Sequence, residues 1–218
     1  KELRIWLMGK GYCAWPISFG GVERGEVMKI LYLGVYRPDI IDFISSFNDQ
    51  VIHKDTPISD ESEYCDVDFI ISYGYRYILK SNLLRKFSKR VINLHISLLP
   101  WNRGADPNLW SFLEDTPKGV TIHYIDEGID TGDILAQQEI QSDPEDTLRT
   151  SYERLSRAIE TLFKIVWLNI RDRRLKGIPQ PEGGSFHRLN DRINYEYLLT
   201  EGWDTPVKNI IGKALNKK

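Results

Sequence analysis

Three short runs of aliphatic and β-branched residues, separated by segments of helical spacing, limit the folds open to this chain. The runs cover residues 29–36, 67–73 and 90–95. They resemble the strands of a parallel sheet, which are buried on both faces and carry no polar alternation. Residues 38–47, after the first run, carry apolar side chains at helical spacing. This alternation predicts an α/β fold with a Rossmann-like, mostly parallel sheet flanked by helices.

The pattern continues beyond the third run. Residues 119–125 predict another strand, and residues 134–140 extend the sheet, with an antiparallel edge strand as one interpretation. Residues 146–173 form the longest helical pattern, which is expected to cover the sheet. Phe163 and Trp167 continue its apolar stripe and are interpreted as core residues rather than ligand contacts.

Composition excludes several classes of partner. The chain has 218 residues, 41% of them apolar, and can bury one good core. A formal charge of -2 gives no basic field, so we expect no nucleic-acid partner. Cys13 and Cys65 show no metal-ligand or redox spacing, which fits a reducing cytoplasm. No apolar run reaches the roughly 20 residues that cross a bilayer, so we expect no membrane partner.

Polar residues follow the predicted strands in a chemically specific order. Asn93 and His95 lie at the end of the third strand, and Asp130 lies in the loop that follows the fourth. An amide, an imidazole and a carboxylate can together stabilise an oxyanion, carry a proton and orient the proton carrier, as acyl transfer requires. We expect all three at the carboxyl edge of a parallel sheet, where such folds bind ligands. The alternative is a structural histidine and a turn-forming aspartate.

Two motifs carry a family resemblance. Residues 93–100 read Asn-Leu-His-Ile-Ser-Leu-Leu-Pro, and residues 126–134 read Asp-Glu-Gly-Ile-Asp-Thr-Gly-Asp-Ile. With the Arg-Gly pair at 103–104, they resemble the signature of the folate-dependent formyltransferases. That family includes glycinamide ribonucleotide, methionyl-tRNA and nucleotide-sugar amine formyltransferases. The resemblance covers roughly residues 28–140 in order and spacing.

The resemblance implies a co-substrate and a catalytic set. It implies 10-formyltetrahydrofolate as the formyl donor, no metal, and catalytic roles for Asn93, His95 and Asp130. Asn93 and His95 would donate to the formyl oxygen, and one such preorganised donor lowers the barrier by about 3 kcal/mol. Asp130 would orient the imidazole and raise its pKa. The resemblance also implies that the loops after the second and fourth predicted strands frame the pterin. Three contacts are expected there: Tyr77, Leu79 and Asp126.

Segments outside the two motifs predict the identity of the formyl acceptor. Residues 100–110 and 184–188 look like those of the sugar N-formyltransferases, in particular enzymes acting on dTDP-4-amino-4,6-dideoxyglucose for lipopolysaccharide O-antigen. A diphosphate calls for cations or amides, and a base calls for aromatic surface. The candidates for these contacts are Trp101, Arg103, Asn108, His187 and Arg188.

Other interpretations stay open. Residues 34–39 lack the Gly/Ser/Asn-rich phosphate loop of glycinamide ribonucleotide formyltransferases, yet that acceptor or another small amine is an alternative. A formyltetrahydrofolate hydrolase would use the same three residues with water as acceptor. A non-catalytic folate-binding module is a third alternative.

The chain divides into three predicted parts. Residues 1–27 carry scattered glycines without periodicity and are interpreted as an N-terminal extension, non-native or translated from upstream sequence, with a native arm as the alternative. Residues 28–175 are expected to form the formyltransferase catalytic domain. Residues 176–218 are expected to form a C-terminal segment with acceptor-side or dimer contacts, and its aromatic residues suggest a homodimer.

Overall fold

A six-stranded sheet with helices on both faces forms the centre of the molecule. The computed structural model describes residues 26–59 and 61–215. The strands are β1 (Lys29–Gly34), β2 (Gln50–Lys54), β3 (Phe69–Tyr73), β4 (Val91–His95), β5 (Arg103–Gly104), β6 (Gly119–Tyr124), β7 (Ile134–Glu139) and β8 (Phe186–His187). The α-helices are α1 (Pro38–Ser45), α2 (Ser81–Lys86), α3 (Pro107–Leu113) and α4 (Leu148–Arg171). Four stretches of 3₁₀-helix lie at Glu61–Tyr64, Leu189–Leu198, Gly202–Asp204 and Val207–Asn209.

The strand order in the large sheet is β2-β1-β3-β4-β6-β7, and the first four of these strands are parallel. The predicted α/β fold with a mostly parallel sheet is therefore confirmed. The edge strand β2 was not predicted, because its residues are only partly buried and mix polar with apolar types. His53 on this strand places Nε2 2.8 Å from the carbonyl oxygen of Gly34.

The direction of the sheet reverses after β4. Strand β6 pairs with β4 in antiparallel register, with Asn93 opposite His123, and β7 pairs antiparallel to β6. The carboxyl end of β6 therefore lies at the amino end of β4, and residues 125–133 fold back to bring Asp130 to Asn93. The expectation that Asp130 reaches the site from the carboxyl edge of a parallel sheet is wrong.

Helix α4 crosses one face of the sheet and buries its apolar stripe there. Phe163 and Trp167 are fully buried in this core, as predicted. Thr147 caps the helix, since its hydroxyl accepts a 3.2 Å hydrogen bond from the backbone N–H of Thr150. This cap satisfies a free backbone donor at the first turn.

The C-terminal segment shares its core with α3. Trp110 and Phe112 of α3 are buried together with Tyr195, Val207 and Ile210 from beyond residue 190. Strand β8 pairs with β5 in a separate two-stranded parallel sheet. The segment is thus packed against the main domain. Most of the predicted N-terminal extension lies outside the described residues.

A buried ion pair lies at the amino ends of β1 and β2. Both carboxylate oxygens of Asp49 accept from Arg171, at 2.7 and 2.9 Å, and one also accepts from the backbone N–H of Met28 at 2.9 Å. The Asp49 side chain is inaccessible to solvent and that of Arg171 is 9% exposed. This pair joins the end of α4 to the start of β1.

We predict that Asp49→Asn lowers the free energy of unfolding by about 3–5 kcal/mol, because it leaves the Arg171 charge buried without a partner. Urea unfolding followed by tryptophan fluorescence measures this. Asp204→Ala is the matched control, since the Arg149–Asp204 pair is exposed and its loss should change stability far less. Equal effects of the two substitutions would contradict the prediction.

Candidate active site

The carboxylate of Asp130 lies at the centre of a group of polar side chains. Its Oδ1 accepts from Asn93 Nδ2 at 3.2 Å and lies 3.5 Å from His123 Nε2. Its Oδ2 accepts from the backbone N–H of Gly104 at 2.8 Å and lies 3.7 Å from His95 Nδ1. The structure therefore brings the three predicted catalytic residues together around one carboxylate.

Strand alternation puts the partners on one face of the sheet. Asn93 and His95 are two residues apart on β4, so their side chains project from the same face. His123 is opposite Asn93 on β6 and joins them. His123 has a hydrogen-bonding role in the structure, since its Nδ1 donates to the Tyr124 carbonyl at 2.7 Å. Its Nε2 then faces Asn93 Nδ2 at 3.4 Å as an acceptor.

Asp130 has a left-handed backbone conformation, and hydrogen bonds from Gln180 hold its backbone in place. Its φ of +53° is left-handed, a conformation that aspartate tolerates better than most residues. Gln180 donates from Nε2 to the carbonyl oxygens of Asp130 and Gly132, at 2.8 and 2.9 Å. Sequence reasoning missed Gln180, since an isolated glutamine in a turn-rich segment carries no pattern.

The loop after β4 is held by Thr121, which is fully buried on β6. Its hydroxyl donates to the Ser97 carbonyl at 2.7 Å and accepts from the backbone N–H of Leu99 at 3.1 Å. Ser97 in turn donates from its hydroxyl to the Trp101 carbonyl at 2.7 Å. Ser97 is thus a structural part of the loop rather than a nucleophile.

This loop sets the protonation of His95. Its Nε2 lies 3.2 Å from the Asn102 carbonyl oxygen, which can only accept, so Nε2 carries the proton of the neutral ring. Burial lowers the pKa of His95 below its usual 6.5, more than the charge of Asp130 raises it. At neutral pH His95 is therefore uncharged, and its Nδ1 lone pair is available as a base beside Asp130.

Asp130 is held ionised. Burial alone would raise the pKa of its carboxyl, but neighbouring His95 and His123 and the Gly104 N–H lower it well below the usual range. An ionised carboxylate beside a neutral imidazole stabilises the imidazolium that forms when the ring takes a proton. The arrangement can accept a proton from a nucleophile and pass it to a leaving group.

The predicted pterin contacts lie in two different settings. Tyr77 is 44% exposed, whereas the Leu79 side chain is buried beneath the loop after β3. Asp126 uses Oδ1 to accept from the Gly128 N–H at 3.0 Å and the Thr131 hydroxyl at 2.6 Å, and so shapes the loop that carries Asp130.

The predicted acceptor contacts divide into accessible and engaged residues. Trp101 and Arg188 are exposed, and Arg103 is half-buried without an ion pair to any described residue. Asn108 is buried, donates to the Leu148 carbonyl at 2.9 Å and accepts from the Ser151 hydroxyl at 2.8 Å.

His187 is engaged in the same way. Its ring is buried, stacks on Trp110 with centroids 3.8 Å apart, and places Nε2 3.1 Å from a Glu114 carboxylate oxygen. The polar atoms of His187 and Asn108 are used within the fold, so their geometry favours structural roles over acceptor binding.

Within residues 26–59 and 61–215, no cluster of three or more His, Cys, Asp or Glu side chains could hold a metal ion. The helices in this described part are also too short or too polar to span a membrane.

Comparisons with known proteins identify the family of this chain. The model of the formyl transferase family matches residues 45–165, more than half of the chain. The chain belongs to the formyl transferase family. The predicted resemblance is thereby confirmed.

Individual family members match to different extents. The chain is 39% identical over 135 residues to phosphoribosylglycinamide formyltransferase of Bacillus subtilis, covering 62% of this chain and 65% of that protein. It is 35% identical over 103 residues to methionyl-tRNA formyltransferase of Finegoldia magna, covering 47% of this chain and 33% of that protein. The chain thus spans a third to two thirds of these relatives.

A solved structure matches over a longer span. The formyltransferase PseJ from Anoxybacillus kamchatkensis is 58% identical, with a TM-score of 0.83, over 85% of this chain and 99% of that one. Its crystal structure is a complex with UDP-4,6-dideoxy-4-formamido-L-AltNAc and tetrahydrofolate.

We predict that Asp130→Asn lowers the pKa of His95 further, because it removes the negative charge that opposes the effect of burial. A histidine NMR titration measures this, with a His95→Gln variant to assign the signal. Glu127→Gln, which neutralises an exposed carboxylate in the same loop, is the matched control and should leave the His95 titration unchanged. An unchanged His95 pKa in Asp130→Asn would contradict the assigned pairing.

Proposed function

We propose that this chain transfers the formyl group of 10-formyltetrahydrofolate to the amine of a nucleotide-linked amino sugar. The observation that carries the proposal is the assembly of Asn93, neutral His95 and ionised Asp130 around one point. The bound formamido sugar and tetrahydrofolate in PseJ, at 58% identity, support the substrate class.

The reaction follows from the protonation states. The sugar amine attacks the formyl carbon, and negative charge develops on the formyl oxygen. Asn93 Nδ2 has two hydrogens: one is bonded to Asp130, and the other makes only a long 3.4 Å contact with His123, so we assign this second hydrogen to the formyl oxygen. His95 cannot act there as a second donor while Nε2 is bonded to Asn102.

His95 instead serves as the proton carrier. Its Nδ1 accepts the proton of the attacking amine, and Asp130 stabilises the resulting imidazolium at 3.7 Å. When the bond between the formyl carbon and the folate nitrogen breaks, His95 returns the proton to that nitrogen. The new amide bond, the broken folate bond and the single proton balance.

The acceptor is proposed to be a 4-amino-4,6-dideoxy sugar. The sugar bound to PseJ has this pattern and is UDP-linked, which favours UDP over dTDP. The dTDP-4-amino-4,6-dideoxyglucose expected from sequence stays the second candidate. The 39% identity to phosphoribosylglycinamide formyltransferase keeps glycinamide ribonucleotide as a control acceptor.

Binding roles are assigned to the accessible candidates. We assign Trp101, Arg103 and Arg188 to the nucleotide sugar, since their side chains are accessible. Tyr77 is assigned to the pterin, with Leu79 and Asp126 supporting the two loops.

We also propose a cytoplasmic homodimer that serves O-antigen or lipopolysaccharide synthesis. The C-terminal segment exposes four large apolar side chains that support the dimer: Leu189, Ile193, Tyr197 and Leu215. Light scattering of the purified protein would measure its oligomeric state. Cys65 is exposed and forms no disulfide within the described residues, which fits a reducing compartment.

We expect the purified protein and 10-formyltetrahydrofolate to add the mass of one formyl group to a nucleotide-linked 4-amino-4,6-dideoxy sugar. Mass spectrometry reads the product. Turnover of glycinamide ribonucleotide alone would overturn the acceptor, and formate release without an amine would indicate a hydrolase.

In the same assay, Asn93→Ala should lower kcat by about 10²–10³-fold with little change in KM, because the lost donor acts on charge that develops in the transition state. Asn190→Ala, at an exposed position outside the site, is the matched control. Unchanged kcat in Asn93→Ala would favour a non-catalytic folate-binding module.

Arg103→Ala should weaken nucleotide-sugar binding by about tenfold and leave tetrahydrofolate binding unchanged, because a hydrogen bond to a charged group is worth about 1.5–3 kcal/mol. Calorimetric titration of each ligand measures both. Arg157→Ala, whose side chain is 71% exposed on α4, is the control. Equal weakening of both ligands would count against the assignment.

A further inference from the structure

The small sheet formed by β5 and β8 presents an exposed aromatic ring beside the site. Phe186 is 40% exposed although it lies on a strand. Its neighbour His187 points the opposite way, into the stack with Trp110. The inner face of this sheet is therefore packed, whereas Phe186 on its outer face leaves apolar surface open.

The position of this ring relative to Asp130 is fixed by Gly104. The Gly104 N–H donates to Asp130 Oδ2 at 2.8 Å. A Cβ placed on Gly104 would lie 2.9 Å from Cε2 of Phe186. Gly104 is therefore in contact with the Asp130 carboxylate through its N–H and packs next to the Phe186 ring.

A side chain at 104 would close this gap. Gly104 has a φ of +89°, and a Cβ there would also lie 2.2 Å from the His187 carbonyl oxygen. The glycine therefore permits the close approach of β8, which carries Phe186, to the strand whose N–H binds Asp130.

The acceptor chemistry gives this surface a use. The reacting amine must come within hydrogen-bond reach of His95, so its carbon lies close to Asp130. In a 4-amino-4,6-dideoxy sugar the next ring carbon carries a methyl group. A sugar that keeps its 6-hydroxyl would instead present a polar group, which an apolar ring cannot hydrogen-bond.

We propose that Phe186 is a specificity-determining residue that contacts the C6 methyl group of the acceptor and selects 6-deoxy sugars over 6-hydroxy sugars. This inference rests on the proposed function. The chemical class it names is an amino sugar with an apolar substituent on the carbon adjacent to the amine-bearing carbon.

The test compares two nucleotide-linked 4-amino sugars that differ only in a methyl or hydroxymethyl group at C5. The wild-type protein should prefer the 6-deoxy sugar by about 10–200-fold in kcat/KM, the range that one such group supports. Phe186→Ala should reduce this preference to below about threefold, mainly through a higher KM for the 6-deoxy sugar. The KM for 10-formyltetrahydrofolate should stay unchanged.

Two further variants serve as controls. Phe186→Leu keeps an apolar side chain and should retain most of the preference. Ile165→Ala, 43% exposed on α4 and so matched in exposure to Phe186, should behave as wild type. Tetrahydrofolate binding by every variant reports that the fold is intact.

Two results would overturn the role of Phe186 and leave formyl transfer intact. One is an unchanged preference in Phe186→Ala. The other is a loss of affinity for the free nucleoside diphosphate in Phe186→Ala that equals the loss of affinity for the nucleotide sugar. Such a result would place the ring against the nucleotide rather than the sugar. If wild-type protein formylates neither sugar, the proposed function itself fails, and this inference fails with it.

Discussion

The ionised carboxylate of Asp130 is the interaction on which the rest of the site depends. It accepts hydrogen bonds from Asn93 and Gly104 and lies beside His95 and His123. A buried carboxylate is costly unless donors and positive charge surround it. Here the hydrogen bond from Asn93 both stabilises the charge and holds the amide in place, while the Asn102 carbonyl orients the His95 ring.

The fold supplies the neighbours of Asp130 from three separate parts of the chain. Strand β4 carries Asn93 and His95, β6 carries His123, and Gly104 comes from the edge of β5. The reversal to antiparallel pairing at β6 sends residues 125–133 back to β4. Because of this reversal, β6 ends at the amino end of β4, and residues 125–133 must fold back over the sheet to place Asp130 beside Asn93.

The C-terminal segment completes the site rather than standing apart from it. Gln180 fixes the carbonyl of Asp130, and β8 pairs with the strand that carries Gly104. His187, predicted as an acceptor contact, instead packs this segment onto α3 through Trp110 and Glu114. Its position leaves Phe186 and Arg103, which are paired in register, on the other face.

The amino-acid sequence by itself determined the α/β class, the long covering helix and the identity of Asn93, His95 and Asp130, because strand burial, helical spacing and motif chemistry are local properties. It did not reveal β2, whose mixed residues resemble a loop, or the direction of β6, because strand pairing depends on long-range hydrogen bonds that leave no local pattern. Only the tertiary structure decided that Asn108 and His187 are buried and that Phe186 packs next to Gly104, whose N–H binds Asp130. Each of these positions depends on contacts between segments far apart in sequence, and burial is a property of the assembled chain.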